Sequence, residues 1–335
     1  MSRHGTNDDP CGVERRLQAL VRSWGLSRFS EHVAAQWLAR ALASSPDALA
    51  SADTACTSVD GADALARLRA WLLLQLNGQR LPPDVSPWQR GCPELLPLLR
   101  AQPTWTTARL PCVAALERAF PAIKRELLAL RGQPRGFQPY RAPSWASDRS
   151  AKDGLGSLGH DTGDWNVFYL FLHNVDFAAH RALCPETAAA IAAIGAHYDH
   201  AFFSALAPRT HVARHHGPTN KKLRCHLPLV VPPHGACRLR VGDRMIDVRE
   251  GECFVFDDSF EHEAWNDDAA HSRIVLVVDV WHPDLSAPER KFLAFLRDAQ
   301  LRMAKKRSAD APDSFYAIIT EASNQDFSTD EAVWS

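Results

Sequence analysis

The chain has 335 residues, 46% hydrophobic and 23% charged; this globular composition, long enough for about two domains of roughly 150 residues, excludes wholesale disorder. Its 38 Lys and Arg residues stand against 39 Asp and Glu, a net charge of -1, which excludes a global electrostatic drive toward nucleic acid or an anionic membrane. Eight cysteines with no C-x-x-C pair among them exclude a disulfide scaffold, a zinc ribbon and a thioredoxin-like redox pair.

Residues 1–12 are polar and lack an apolar h-region, and no apolar stretch reaches the ~18 residues of a membrane span. A soluble, cytoplasmic protein in a reducing compartment is expected. Residues 13–24 then place Val13, Leu17, Leu20, Val21 and Trp24 at helical spacing. Ser30 can cap a second helix over 31–42. A Leu- and Ala-rich helix over 62–76 closes at Asn77-Gly78. After the Pro-rich linker 81–87, an amphipathic helix runs over 112–130 and stops at Gly132. No repeat of fixed period joins these helices, so a helical-repeat array is not predicted.

Near residue 163 the pattern changes. Residues 165–172 are apolar and aromatic, and a helix rich in Ala and Ile is predicted over 185–206. Runs with strand chemistry follow at 223–231, 237–241, 245–248, 253–256 and 274–280. Pro232-Pro233, Gly242-Asp243 and Glu250-Gly251 part them. Short strands at a spacing of about 8–12 residues predict a sandwich or barrel rather than alternating β–α units. A last helix is predicted over 287–305. The polar, acidic tail over 308–335 is expected to be mobile unless 315–319 docks.

Six histidines fall between 211 and 262, all within the strand-rich half: His211, His215, His216, His226, His234 and His262. Neutral imidazole is the commonest metal ligand, and three readings stay open on the residues alone. His211 and His215 have the spacing of a helical zinc site, but Val212 stands where a metalloprotease has Glu, and Gly217-Pro218 opposes a helix. His215 and His262 flank the strand block and suit a non-haem iron site in a small barrel. The usual carboxylate two residues after the first histidine is replaced there by Gly217. In the third reading the histidines are ordinary surface or hydrogen-bonded residues, as expected for His216, His234 and His271. Cys225 and Cys253, in apolar strand runs, read as small buried hydrophobes rather than nucleophiles.

Four blocks carry a resemblance. They are His215-His216-Gly217-Pro218-Thr219-Asn220, Leu223-Arg224-Cys225-His226-Leu227, the run from Phe256 through Asp257-Asp258-Ser259-Phe260-Glu261-His262-Glu263 to Ala264-Trp265, and Val278-Asp279-Val280-Trp281-His282-Pro283. In this order and spacing they resemble the aspartyl/asparaginyl β-hydroxylase family, Fe(II)- and 2-oxoglutarate-dependent oxygenases. Weaker similarity extends upstream through Gly163-Asp164-Trp165 to Leu116-Glu117, so that it covers 113–285.

The resemblance implies an α+β protein: a double-stranded β-helix (jelly-roll, cupin-like) catalytic core preceded by a mainly α-helical region. The corresponding division is 1–110 helical, 111–306 oxygenase domain and 307–335 tail. It implies His215 and His262 as the two iron ligands, the family having glycine at the third position. Asp258 would be a catalytic-site acid near the metal without being an ordinary ligand. Arg273 would anchor the far carboxylate of 2-oxoglutarate, with Arg224, His226, Ser204 and Trp165 as further cosubstrate contacts. Arg224 and His226 are two apart on one strand and so share a face.

The implied activity uses O2 and 2-oxoglutarate to hydroxylate an unactivated C–H, giving succinate and CO2. The usual target is the β-carbon of Asp or Asn in a peptide, protein or small molecule. Two alternatives remain: a lipid-acyl (lipid A type) hydroxylase of the same chemistry, and a non-catalytic protein-interaction module built on the helical half. No nucleic-acid partner and no transmembrane segment are expected, and the oligomeric state stays open.

Overall fold

The computed structural model describes residues 10–44, 63–133, 136–141, 158–308 apart from 174, 196 and 234, and 333–334. Among them are helices α1 (Pro10–Ser23), α2 (Arg28–Ala43), α3 (Ala66–Leu76), α4 (Pro111–Ala129), α5 (Ala178–Leu183), α6 (Pro185–Ala192) and α7 (Ala287–Ser308). The strands are β1 (Thr104–Trp105), β2 (Gln138–Pro139), β3 (His160–Thr162), β4 (Trp165–Leu172), β5 (His197–Leu206) and β6 (Thr210–His215). They continue with β7 (Lys222–Val230), β8 (Cys237–Val241), β9 (Arg244–Asp247), β10 (Phe254–Phe256), β11 (His262–Asn266) and β12 (Arg273–Trp281).

The chain divides into two compact units. One comprises the residues up to Asp84, Leu95–Leu99 and Asp284–Lys306; the other comprises Val85–Glu94, Arg100–Pro283 and the residues from Arg307. This division differs from the sequence boundaries: α7 groups with α1, α2 and α3, not with the strands. The reason is its buried stripe of Phe292, Leu293 and Leu296. Phe292 meets Trp37 of α2 at 5.9 Å between ring centroids. The fully buried Glu289 accepts from the backbone N–H and guanidinium of Arg67 at 3.0 and 3.3 Å. The cap of α2 is also displaced from its expected place. Ser27, not Ser30, is the N-cap, and its hydroxyl accepts from the Ser30 N–H at 3.2 Å.

The second unit is built on two antiparallel sheets, ordered β1-β10-β7-β12-β5-β4-β2 and β3-β6-β11-β8-β9. From β5 to β12 the chain crosses from one sheet to the other at every step except the β8–β9 hairpin, a double Greek key, the jelly-roll or double-stranded β-helix. Strand β5 is the main correction to the sequence reading, which predicted helix through Leu206. Only Pro185–Ala192 is helical. Tertiary pairing overrides helix propensity here, because β5 is hydrogen-bonded on one side to β4 and on the other to β12.

Alternation sorts each central strand into two faces. Leu223, Cys225, Leu227 and Leu229 of β7 join Ala201, Phe203 and Ala205 of β5 beneath Val113, Leu116, Ile123 and Leu127 of α4. The intervening residues of both strands face the space between the sheets. Cys225 and Cys253 are buried in the outer layer as small apolar groups. Val333 is buried in the same layer, and Trp334 meets Phe137 edge-on. Residues 315–319 lie outside the described residues. Among the described helices none is long and apolar enough to cross a membrane.

Candidate active site

His215 ends β6 and His262 begins β11, and the two are opposite each other in the ladder. Their rings lie 4.1 Å apart, centroid to centroid. The Nδ1 of His215 bonds the Ala213 carbonyl at 2.8 Å, and the Nδ1 of His262 bonds the Phe260 carbonyl at 2.9 Å. A carbonyl only accepts, so each Nδ1 carries the proton and each Nε2 keeps its lone pair for a metal. Burial lowers the pKa of both rings, His262 furthest, so both are neutral. This tautomer and charge are those of a histidine ligand.

The two residues that the zinc reading paired do not share a site. His211 and His215 are both on strand β6, not on a helix. Between Val212 and His215 that strand carries one residue more than its partner β11. A bulge of this kind turns a strand's faces over. His211 therefore lies on the other face, stacked on Trp265 and bonded to Glu263 at 3.1 Å.

No group of three His, Cys, Asp or Glu residues fit to hold a metal occurs among the described residues. The place of a third ligand is taken. A Cβ at Gly217 would come closer than 3.0 Å to the carboxylate of Asp258. That carboxylate is fully buried, and its Oδ2 accepts from Lys222 Nζ at 2.6 Å. Its Oδ1 has no hydrogen-bond partner. Two neutral Nε2 donors, with the Asp258 charge acting on His215, suit a divalent metal that keeps open positions.

Trp165, Ser204, His215, Arg224, His226, His262 and Arg273 line one cleft between the sheets, with apolar walls that include Phe202, Leu206 and Val277. The Trp165 indole donates to Ser204 Oγ at 3.0 Å. Arg273 is 2% exposed, and its Nε has no hydrogen-bond partner. Burial pushes its pKa down to about 10. His226 is likewise buried with an unpartnered Nδ1. Burial, then Arg273 and Arg224, hold its pKa well below the ordinary value. A buried guanidinium without a counterion is prepared for a carboxylate.

Arg224 differs from Arg273. It lines the cleft, yet its Nε and Nη2 donate to Asp279 at 2.8 and 3.0 Å, and Asp258 lies 3.4 Å away. Asp258 does not line the cleft wall. Lys222, Asp279 and His200 were not singled out from sequence. Lys222 Nζ bridges Asp258 at 2.6 Å and Asp279 at 2.9 Å, and His200 Nδ1 meets Asp279 Oδ2 at 2.8 Å. Burial works against the charge of Asp279, but Arg224 and Lys222 hold it well below the usual carboxylate range. The lone acid in the apolar run Val275–Val280 was the available signal, because an isolated buried charge must be paired.

Residues 117–283 match the sequence model of a family described as aspartyl/asparaginyl beta-hydroxylase. The chain is 34% identical over 216 residues to the aspartyl/asparaginyl beta-hydroxylase of Mus musculus, covering 62% of this chain and 27% of that one. It is 33% identical over 189 residues to the ornithine lipid ester-linked acyl 2-hydroxylase of Rhizobium tropici, covering 56% and 63%. The chain thus spans less than two thirds of either relative. A solved oxidoreductase of the 2OG-Fe(II) oxygenase family from Burkholderia pseudomallei is 13% identical, with a TM-score of 0.32 over 55% of this chain and 93% of that one.

Proposed function

Over residues 117–283 the chain belongs to the aspartyl/asparaginyl β-hydroxylase family, and we propose from this that it is an Fe(II)- and 2-oxoglutarate-dependent oxygenase. One observation carries the reading. Two neutral histidines with free Nε2 atoms share a cleft with a buried, unpaired guanidinium, Arg273.

His215 and His262 would hold the metal through Nε2. The chemistry such a metal supplies, with 2-oxoglutarate and O2, is hydroxylation of an unactivated C–H, with succinate and CO2 as coproducts. Arg273 would pair with the far carboxylate of 2-oxoglutarate and set its depth. Ser204 and His226 border the same space, and Ser204 is oriented by the Trp165 indole. Phe202, Leu206 and Val277, which line the cleft, would keep water from the reacting carbon. Arg224 would act on the cleft through the Asp279–Lys222–Asp258 network, which fixes the Asp258 carboxylate.

The substrate class we propose is the β-carbon of Asp or Asn in a peptide, protein or small molecule. A lipid-acyl substrate is the second reading, favoured by the larger share of the Rhizobium tropici hydroxylase that the match covers. The test supplies Fe(II), 2-oxoglutarate and either an Asp/Asn peptide or an acylated lipid, and quantifies succinate. Turnover stimulated by one of them is expected, and it should vanish in His215→Ala and His262→Ala. Full turnover in either variant would overturn the metal assignment.

A further inference from the structure

His215 and His262 stand at the ends of their strands, and each is continued by a loop. Residues 216–221 follow the first histidine and 257–261 precede the second. The β6–β11 ladder ends at the histidine pair, so something else must fix these loops. Much of it is Val85–Glu94, a segment outside the family match that nevertheless groups with the barrel unit.

Its contacts reach both loops. The Trp88 carbonyl accepts from the N–H of Glu261, next to His262, at 2.7 Å. Gln89 Nε2 donates to Ser259 Oγ at 2.8 Å in a buried bond, and Ser259 Oγ donates onward to Asp257 at 2.6 Å. On the other loop, Cys92 Sγ donates to the Gly217 carbonyl at 3.4 Å. Glu94 pairs with Lys221 at 2.6 Å and bridges to Thr219.

His216, one residue after the metal-facing His215, joins the two loops directly. Its Nδ1–H donates to the Ser259 carbonyl at 3.0 Å. The other edge of its ring rests on Gly91, where a Cβ would come closer than 3.0 Å to Nε2. Gly91 is not among the positive-φ glycines. Glycine is required there by close approach, not by backbone conformation.

We propose that Val85–Glu94 is a strap that holds the two metal-facing histidines in register, with Gln89, Gly91 and His216 as positioning residues. The proposal rests on the reading of His215 and His262 as a metal pair. With only two protein ligands, the metal's affinity depends on how firmly those rings are oriented. Groups of this kind, outside the ligand set, are typically worth about 10–100-fold in metal affinity.

The test titrates the full chain with Co(II) and reads the visible absorption of the bound ion, independent of turnover. Wild type should bind and His215→Ala should not. Gly91→Ala, with wild-type circular dichroism, should lose about 10-fold in Co(II) affinity and show altered band intensities. Gly91→Ala/His216→Asn should recover most of that loss, because the shorter amide clears the new methyl and still donates toward Ser259. Gln89→Leu should weaken binding in the same direction. A folded Gly91→Ala protein with wild-type affinity and spectrum overturns the strap. If that variant does not fold, a Gln89→Leu protein with wild-type Co(II) binding does so. Wild type that binds no Co(II) overturns the metal pair itself, and the strap with it.

Discussion

Arg273 and Arg224 show how context decides what an arginine does. Both line the cleft, but Arg224 is neutralised by Asp279 and Asp258, whereas no carboxylate among the described residues pairs with Arg273. Arg273→Ala should raise the KM for 2-oxoglutarate by roughly 30-fold, the loss of about 2 kcal/mol from a buried charge pair. Co(II) affinity should stay unchanged; an unaltered KM would remove Arg273 from the site. At Gly217 an added methyl meets a carboxylate that Lys222 holds in place. Gly217→Ala should therefore cost about 1–3 kcal/mol in chemical denaturation, and a neutral substitution would mean that Asp258 is free to move. The buried histidines set a pH dependence. His200, His215, His226 and His262 all titrate below their ordinary 6.5, mainly because burial opposes their charge. As pH falls through about 6.5 the unfolded chain takes up protons that the folded chain refuses, so stability falls. Asp257 acts oppositely: burial pushes its pKa to about 7, so it binds a proton when folded and gains stability on acidification. Four histidines outweigh one carboxyl. The metal-free protein should melt at a lower temperature at about pH 5.5 than at about pH 7.5, and a higher melting temperature at the lower pH would contradict this.

Strand β7 carries the site on one face and the core on the other. Its alternation was legible in sequence, since Arg224 and His226 interleave with Leu223, Cys225 and Leu227. Leu227→Ala should cost about 2–5 kcal/mol through the cavity left under α4, measured by denaturation, with the KM for 2-oxoglutarate unmoved. A large KM change would show that the two faces are coupled. Strand β5 was not legible. Its Ala- and Phe-rich sequence continues that of α6, and only pairing with β4 and β12 makes it a strand. Ser204 faces the cleft only because β5 is extended. The bulge that separates His211 from His215 was equally invisible, because four-residue spacing looks the same on a helix and on a regular strand.

At the scale of the whole molecule, the chemistry sits in a unit that borrows from the sequence before the family match. A boundary at residue 110 would remove the strap Val85–Glu94 and β1, which pairs with β10. A chain that begins at Pro111 should bind Co(II) more weakly than one that begins at Val85. Equal affinity in titrations of the two would show that the upstream segment is dispensable for the metal pair. The helical unit, with α7 added to it, is held by a buried Glu289–Arg67 pair that links residues 222 positions apart.

The fold class, the family and seven of the side chains that line the cleft were legible in the sequence alone. Local motifs and period-2 alternation survive without knowledge of what each strand pairs with. Tertiary structure alone decided which charges are spent and which are free. Lys222, Arg224, Asp258 and Asp279 come from three separate stretches of chain, and their mutual neutralisation leaves Arg273 as a cleft cation that pairs with no carboxylate among the described residues. It also decided what holds the histidine pair in place. The strap lies 121 or more residues upstream of His215, and nothing in local propensity marks a contact made at that separation.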